Sequence, residues 1–206
     1  SDMIEKETHE FTMILPKDYY EPGSYSKWVR VGWALKNTCS QLDYRDNRLF
    51  LTFLKFSSQS SEFSYADVPG LWDQWRNKFH SNPDGLTKKS IMYWAKQDAD
   101  PNEYKQIREN TVDFFMNEAI ETQTEFDLAS VLYQLFKDRF ICVSISKNIW
   151  YEFRDHRWVE NDSGNSLRMS ISKELHSVFV KKLLTLMEDM RSYSQDDPRW
   201  AKSQAL

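Results

Sequence analysis

Glycine is scarce in this chain, with 5 occurrences in 206 residues against a usual share of about 7%. So few glycines weigh against a turn-rich β-sandwich and leave no glycine-rich loop to cradle a phosphate. Cys39 and Cys142 lie far apart in apolar surroundings without a CxxC motif or a zinc-type Cys/His cluster, so we expect two buried thiols. No apolar run approaches the roughly 18 residues of a membrane span and no signal peptide is visible. These absences predict a soluble, intracellular protein.

The motifs of self-contained catalysis are also missing. The segment Gly85–Ser90 (GLTKKS) approaches a phosphate-binding loop, but its lysine does not directly follow a glycine and no earlier glycine has the required spacing. Thr87 is better interpreted as a helix cap followed by two exposed lysines. Asp98 and Asp100 could bind magnesium, but they lie between two predicted helices, where capping and linker roles explain them better. The histidines are scattered, so we expect no catalytic residue, metal site or cofactor in this chain.

The formal net charge of -4 hides an uneven distribution. Residues 22–96 carry 11 basic and 6 acidic residues, whereas residues 97–135 carry 2 and 9. A basic block therefore sits beside an acidic block, and such an asymmetry is informative about partners.

The basic block is rich in aromatic residues, a pairing typical of single-stranded nucleic-acid binding, where cations offset phosphates and aromatic rings stack on unpaired bases. The alternative is that most tryptophans are core residues, because Trp28, Trp72, Trp75 and Trp94 fall on apolar helical stripes, and that the cations form an ordinary solvated face. Trp33 falls off its helix's stripe and is the best candidate for exposure. The candidate contacts in this block are Trp33, Lys55, Arg76, Lys78, Lys88 and Lys89.

A second basic feature is the predicted hairpin tip formed by Arg154, Asp155, His156 and Arg157. A charged tip is usually a solvated turn. In a protein that handles nucleic acid, however, a basic hairpin can contact a backbone or open a duplex. We therefore add Arg154, His156 and Arg157 to the candidate nucleic-acid contacts.

Hydrophobic periodicity predicts a mainly α fold. A small helical bundle is expected over residues 22–100, after a polar linker at residues 1–21. A connecting helix follows over residues 101–123, with Asp100-Pro101-Asn102-Glu103 as its start signal. A small α+β module is expected over residues 124–191, with a three-stranded antiparallel meander between helices, and residues 192–206 form an exit linker.

Several of these segments resemble known modules. Residues 15–104 look like a primase C-terminal domain, through LPKDYY, YSKWVRVGWALKN, LFLTFLKFSSQSSEF, WDQW and SIMYWAKQDADPNEY. Residues 125–190 resemble the domain that precedes superfamily-3 helicases in poxvirus-type proteins, through IWYEF, HRW and SLRMSISKEL. This order of modules is similar to that of the replicative primase–helicases of nucleocytoplasmic large DNA viruses.

The resemblance implies a non-catalytic part of a larger enzyme. A primase domain would precede this chain and a hexameric AAA+ helicase using ATP and magnesium would follow it. The expected partners are those domains and single-stranded DNA or a primer–template, with no membrane. The expected location is the viral replication site in the host cytoplasm, or else the nucleus. The alternative function is a protein-interaction or oligomerisation module with little affinity for DNA, in which the acidic segment 97–135 docks on a basic partner. An independent enzyme is a third hypothesis, which a bound metal or nucleotide in a formed pocket would support.

Overall fold

A computed structural model describes residues 2–41, 47–79 and 85–192. Helices α1 (Asp2–Met13), α2 (Tyr25–Gln41), α3 (Asn47–Ser57), α4 (Val68–Asn77), α5 (Lys88–Asp98), α6 (Pro101–Thr122) and α7 (Glu125–Phe136) come first. Strands β1 (Phe140–Ser144), β2 (Ile149–Arg154) and β3 (Arg157–Asn161) follow, then α8 (Asn165–Ser170), a π-helical segment (Ile171–Leu175) and α9 (His176–Ser192). The mainly α fold with one small sheet confirms the predicted class.

The chain divides into two compact units, Ser1–Thr111 and Val112–Leu206, here called the first and second units. The division falls inside α6. Each unit is described by itself.

The first unit is built around an aromatic core. Helix α1 packs on α3 and α5, and α2 packs on the same two helices. Trp75 of α4 is completely buried and its ring lies 5.9 Å from that of Phe53 and 6.1 Å from that of Phe79. Gly32 explains how Phe79 reaches α2, since a Cβ at this position would lie 2.5 Å from the Phe79 ring.

The prediction of a linker over residues 1–21 is wrong. Residues 2–13 form α1, and Phe11 and the following Leu15 and Tyr19 are core residues. The pattern is hard to recognise because polar residues occupy part of the buried face. Thr8 and Thr12 satisfy their hydroxyls on carbonyls one turn back, at 2.7 Å each. Glu7 pairs with Arg108 of α6 at 3.1 Å. Glu7, Thr8 and Thr12 are therefore buried with polar partners, and the hydrophobic periodicity that predicts a buried helix face is absent at these positions.

Start signals in the sequence act as predicted at three helices. Thr87 accepts from the backbone N–H of Lys89 while the Ser90 hydroxyl accepts from the backbone N–H of Thr87, which forms a capping box at α5. Asp100 accepts from the backbone N–H groups of Asn102 (2.7 Å) and Glu103 (3.3 Å) and so caps α6. Thr124 accepts from the Asp127 N–H at 3.1 Å and caps α7.

The second unit contains the predicted antiparallel meander in the order β1-β2-β3. Arg139 ties β1 to the following helices, because its guanidinium lies 5.0 Å from the Phe140 ring centre, donates to Glu174 at 3.0 Å and bonds Ser170. Lys182 of α9 pairs with Asp113 of α6 at 2.6 Å. The last helix, predicted from about Ser166, is interrupted by the π-helical segment.

The expectation of two buried cysteines is half correct. Cys39 is fully buried on α2, but Cys142 is exposed on β1. The reason is that Ile141, Cys142 and Val143 are all exposed in succession, on both faces of an outer strand. An apolar run therefore marks a strand here without marking burial.

Candidate nucleic-acid interface

Arg76 and Lys78 lie at the C-terminal end of α4 and are both exposed. The Arg76 guanidinium lies 5.8 Å from the centre of the Trp72 ring, a cation–π geometry that holds the arginine on the surface of the domain. Trp72 itself is half-buried against the core, as its apolar stripe predicts. The α4 end therefore presents two cations beside a partly exposed aromatic ring.

Lys88 and Lys89 open α5, but they are not equivalent. The backbone N–H of Lys88 donates to the Thr38 hydroxyl at 2.8 Å, which fixes the start of α5 against α2. The Lys88 side chain is half-buried, and this burial lowers its pKa, although Glu7 acts in the opposite direction. Lys89 is fully exposed. The sequence prediction of two exposed lysines is thus wrong for Lys88, because its first-turn position faces the neighbouring helix.

Lys55 lies on the exposed side of α3, at a cleft of about 420 Å³ between α1 and α3. Arg48 in the same cleft is held at 3.0 Å by each of Asp2 and Glu5. His9 shares a hydrogen bond of 2.9 Å with the Thr52 hydroxyl. Burial and the nearby Lys55 lower the pKa of His9, so this histidine is a neutral hydrogen-bonding group rather than a further cation.

Trp33 is not the exposed stacking residue that its position on the helix predicts. It is half-buried, and its ring meets Phe79 edge to face at 6.5 Å. The reason is local, since the neighbouring Gly32 admits Phe79 against α2 and so extends the core to the side where Trp33 lies. More exposed aromatic residues in the first unit are Tyr25, Tyr65 and Tyr93.

Some described cations of the first unit have a carboxylate partner, whereas several of the predicted contacts do not. Ion pairs join Lys27 to Asp18, Arg48 to both Asp2 and Glu5, and Arg108 to Glu7. Four of the predicted contacts form no ion pair with any residue that the structure describes, and these are Lys55, Arg76, Lys78 and Lys89. Their charges therefore remain available to an anionic ligand.

The predicted hairpin tip exists at the end of β2 and β3. Arg154 and Arg157 are directly paired across the strands, and Asp155 and His156 form the two-residue turn between them. All four are exposed. Within the described parts of the chain, neither arginine has a carboxylate partner within ion-pair distance.

Aromatic residues that the sequence pattern did not indicate as contacts lie beside this tip. Trp158 follows Arg157 directly and is 43% exposed. It was interpreted only as part of a strand. The alternation of Tyr151 and Phe153 with Glu152 and Arg154 is the signal that could have placed the two rings on one face of β2.

In the parts of the chain that the structure describes, no three His, Cys, Asp or Glu side chains cluster in a way that could hold a metal ion. The DxD pair has other uses. Asp98 accepts a hydrogen bond of 2.5 Å from the Tyr19 hydroxyl, and Asp100 caps α6. Burial and this bond to Asp98 raise the pKa of Tyr19. Among the described residues, no helix is long and apolar enough to cross a membrane.

These features define a helical domain with free surface cations, followed by a small α+β unit. Comparison with known families makes the class specific: residues 9–95 match the family Primase C terminal 2 (PriCT-2). This part of the chain is therefore similar to the primase C-terminal domains, as the resemblance in the sequence predicted.

Three relatives extend the similarity. The chain is 32% identical to "Putative helicase L207/L206" of Acanthamoeba polyphaga mimivirus over 77% of its own length and 15% of the relative's. It is 29% identical to "Putative primase C962R" of African swine fever virus (isolate Pig/Kenya/KEN-50/1950), over 70% of the chain and 15% of the relative. It is 25% identical to "Putative helicase 022R" of Frog virus 3 (isolate Goorha), over 82% of the chain and 16% of the relative.

All three relatives come from large DNA viruses, which confirms the resemblance to their primase–helicases. The alignments cover 153 to 174 residues and therefore extend beyond the PriCT-2 match. The chain spans about 15% of the length of the curated relatives it matches.

Proposed function

We propose that this chain is a non-catalytic part of a viral replicative primase–helicase, and that its PriCT-2 domain holds single-stranded template or a primer–template. The observation that carries the proposal is the set of unpaired cations on the first unit: Lys55, Arg76, Lys78 and Lys89. In the same unit, other cations are neutralised by carboxylates at 3.0–3.1 Å.

The physical argument is that unpaired cations are the groups that displace counterions from a nucleic-acid backbone. A cation that already has a carboxylate partner gains little by meeting a phosphate, because the carboxylate must then be displaced. Arg76 is supported further by its position over Trp72, since an aromatic ring beside a cation suits a base beside its phosphate. Lys88 contributes less directly, because its side chain is half-buried.

Fluorescence anisotropy of a labelled oligodeoxythymidylate tests this proposal on the full chain. The triple variant Arg76→Glu, Lys78→Glu, Lys89→Glu should weaken binding by at least about tenfold near physiological salt, because three phosphate contacts are lost. Lys105→Glu is the matched control, because Lys105 is exposed on α6 and its partner is Glu109 at 3.8 Å. Equal affinities for the triple variant and the wild type would refute the proposed surface.

A protein-interaction or oligomerisation module is the second candidate. It is favoured by large apolar side chains that are exposed in the second unit, on α7 and α9: Phe126, Leu128, Tyr133, Val180, Leu183, Leu184 and Met187. Exposed apolar groups of this size commonly mark contact surfaces. In the whole protein this unit would couple the primase part to an ATP- and magnesium-dependent helicase ring at the viral replication site.

Light scattering separates the two candidates. A stable oligomer that binds no oligonucleotide, and that Leu184→Gln with Met187→Gln converts to a monomer, would favour the interaction module. A monomer that binds single strands would favour the nucleic-acid role.

A further inference from the structure

We propose that the three-stranded sheet of the second unit is a second single-strand site, which stacks unpaired bases on an aromatic face and contacts phosphates at the β2–β3 hairpin tip. The inference deepens the proposed function and rests on it for the class of ligand. It concerns different residues, all within 141–158, so the two can fail independently.

One face of the sheet is apolar and aromatic. Tyr151 is paired with Ile141 of β1, and Phe153 is paired with Trp158 of β3. Directly paired residues share a face, and residues two apart on one strand share it as well. The sheet face therefore consists of Ile141, Tyr151, Phe153 and Trp158, with Glu160 as its acidic member.

Trp158 is the most accessible aromatic ring of this face. It is 43% exposed, and its ring meets Phe153 at 5.2 Å in an edge-to-face arrangement. Phe153 and Tyr151 are half-buried. A supported ring that remains open on one side is what stacking requires, because every base offers a π-face of matching size.

The opposite face of the sheet is covered by the chain itself at β2, whereas Cys142 of β1 is exposed on that face. Glu152 accepts a hydrogen bond of 2.7 Å from the Ser166 hydroxyl. Gly164 passes so close to the Trp150 ring that a Cβ there would lie 3.3 Å away. These contacts hold the sheet in place through its covered side. The face that carries Tyr151, Phe153 and Trp158 is therefore the one open to a ligand.

At the tip, two like charges are held opposite each other. Arg154 and Arg157 are direct cross-strand partners, an arrangement that destabilises a hairpin. The turn between them adds to this cost, because Asp155 and His156 both have positive φ angles (51° and 61°), which type I′ turns usually give to Asn-Gly. The described residues supply neither arginine with an ion pair, so an external anion would relieve the repulsion.

Charge complementarity selects single-stranded nucleic acid as the occupant. Arg154 and Arg157 alternate with Phe153 and Trp158, so their side chains start on the other side of the hairpin. A strand whose bases lie on the sheet face would therefore cross the exposed tip, past His156, to bring its backbone to the two guanidinium groups. Arginine forks match phosphate geometry in two contacts at once. Glu160, opposite Tyr151 at the far end of the face, confines the favourable potential for phosphates to the tip.

The first test measures binding of oligodeoxythymidylate to the full chain by anisotropy. Trp158→Ala should weaken the affinity by about fivefold or more, since base–aromatic stacking is lost, while Trp158→Phe should keep most of it. Phe126→Ala is the control, because it removes an exposed aromatic ring (77%) from the same unit without touching the sheet.

A second variant guards against a folding defect. Arg154→Glu replaces the like-charge pair with an opposite-charge pair, so it should raise the melting temperature and yet weaken binding by at least about threefold. A merely structural role of Arg154 would move only the melting temperature. Photocrosslinking with 5-iododeoxyuridine should in addition attach the oligonucleotide to the 149–161 segment.

The outcomes separate the two proposals. If the wild type binds no oligonucleotide, both are overturned. If Trp158→Ala and Arg154→Glu bind within twofold of the wild type while charge reversal in the first unit abolishes binding, only the sheet site is overturned. The same holds if Trp158→Ala instead dissolves an oligomer, which would make the sheet face a protein contact.

Discussion

The two units use aromatic and aliphatic residues in opposite ways. In the first unit the large side chains close on each other, and Phe11, Phe53, Trp75 and Phe79 are all at most 2% exposed. In the second unit a few residues are buried, including Val131, Phe136 and Phe140. Many others remain at the surface, including Phe126, Ile145, Trp158, Leu183, Leu184 and Met187.

The comparison teaches where each unit carries its function. Most of the large rings of the first unit are buried, so the contacts proposed for it depend mainly on cations such as Arg76 and Lys89. The second unit leaves more large apolar side chains exposed, so the stacking proposed for it depends on the open ring of Trp158. The burial of the large side chains, rather than their number, distinguishes binding through cations from binding through apolar contact.

The largest effect should come from removing one tryptophan in each unit. Trp75→Ala should lower the free energy of unfolding by about 3–5 kcal/mol, because a fully buried ring leaves a cavity. Trp158→Ala should cost at most about 1.5 kcal/mol, the range of the aromatic pair that it loses. Urea denaturation measures both. Equal costs would mean that the sheet face is core, and the comparison would fail.

A smaller effect tests the close packing of the first unit. Gly32→Ala should destabilise it by about 1–3 kcal/mol, because the new Cβ would meet the Phe79 ring at 2.5 Å. Gly70→Ala in α4 is the matched control, since no atom lies within 4 Å of its Cβ position. The control should be neutral or stabilising by up to about 1 kcal/mol. If Gly32→Ala behaved like Gly70→Ala, the core would be looser than described.

A change in the hairpin turn should increase stability instead of lowering it. Asp155→Asn with His156→Gly should stabilise the second unit by about 1 kcal/mol, because Asn-Gly adopts two positive φ angles without the strain of the native pair. Thermal denaturation measures the gain. Both arginines remain in this variant, so it relieves the turn without removing either guanidinium group. A loss of stability would show that the turn residues make contacts that outweigh their strain.

The smallest effect concerns pH in the first unit. Burial, and secondarily Lys55, lowers the pKa of His9 below its ordinary value of 6.5. The protonated form is therefore disfavoured in the folded state, so this contribution to stability is complete above pH 6.5 and is lost as the pH falls through the folded pKa. His9→Gln should flatten the decline in stability from pH 7.5 to pH 5.5. His176→Gln in α9 serves as control, and an unchanged slope for His9→Gln would contradict the burial argument.

Local signals in the sequence predicted much of the fold. The caps Thr87, Asp100 and Thr124 begin helices where expected, and the polar breaks at residues 147–148 and 155–156 separate the three strands. Such signals are local, because a cap or a turn depends on a few neighbouring residues. Helix α1 was missed because its buried Glu7 is satisfied by Arg108, a partner 101 residues away.

In the candidate site, too, some residues could be predicted from local signals and others could not. Exposure of Arg76, Lys78 and Lys89 follows from charge alone, since isolated cations rarely bury. Trp33 could not be placed from its helical position, because its burial depends on Phe79 entering at Gly32. Trp158 was overlooked because pairing with Phe153 is set by strand register, which a linear pattern does not specify.

The central claim, that this chain handles single-stranded nucleic acid through unpaired cations, is tested most directly by a salt titration of binding to matched single-stranded and duplex oligonucleotides. The account predicts tighter binding to the single strand and a logarithmic affinity that falls linearly with the logarithm of salt concentration. The slope should shrink by about 0.7 for each of Arg76, Lys78 and Lys89 that is reversed in charge. Absence of single-strand binding, or a slope that the three reversals leave unchanged, would contradict it.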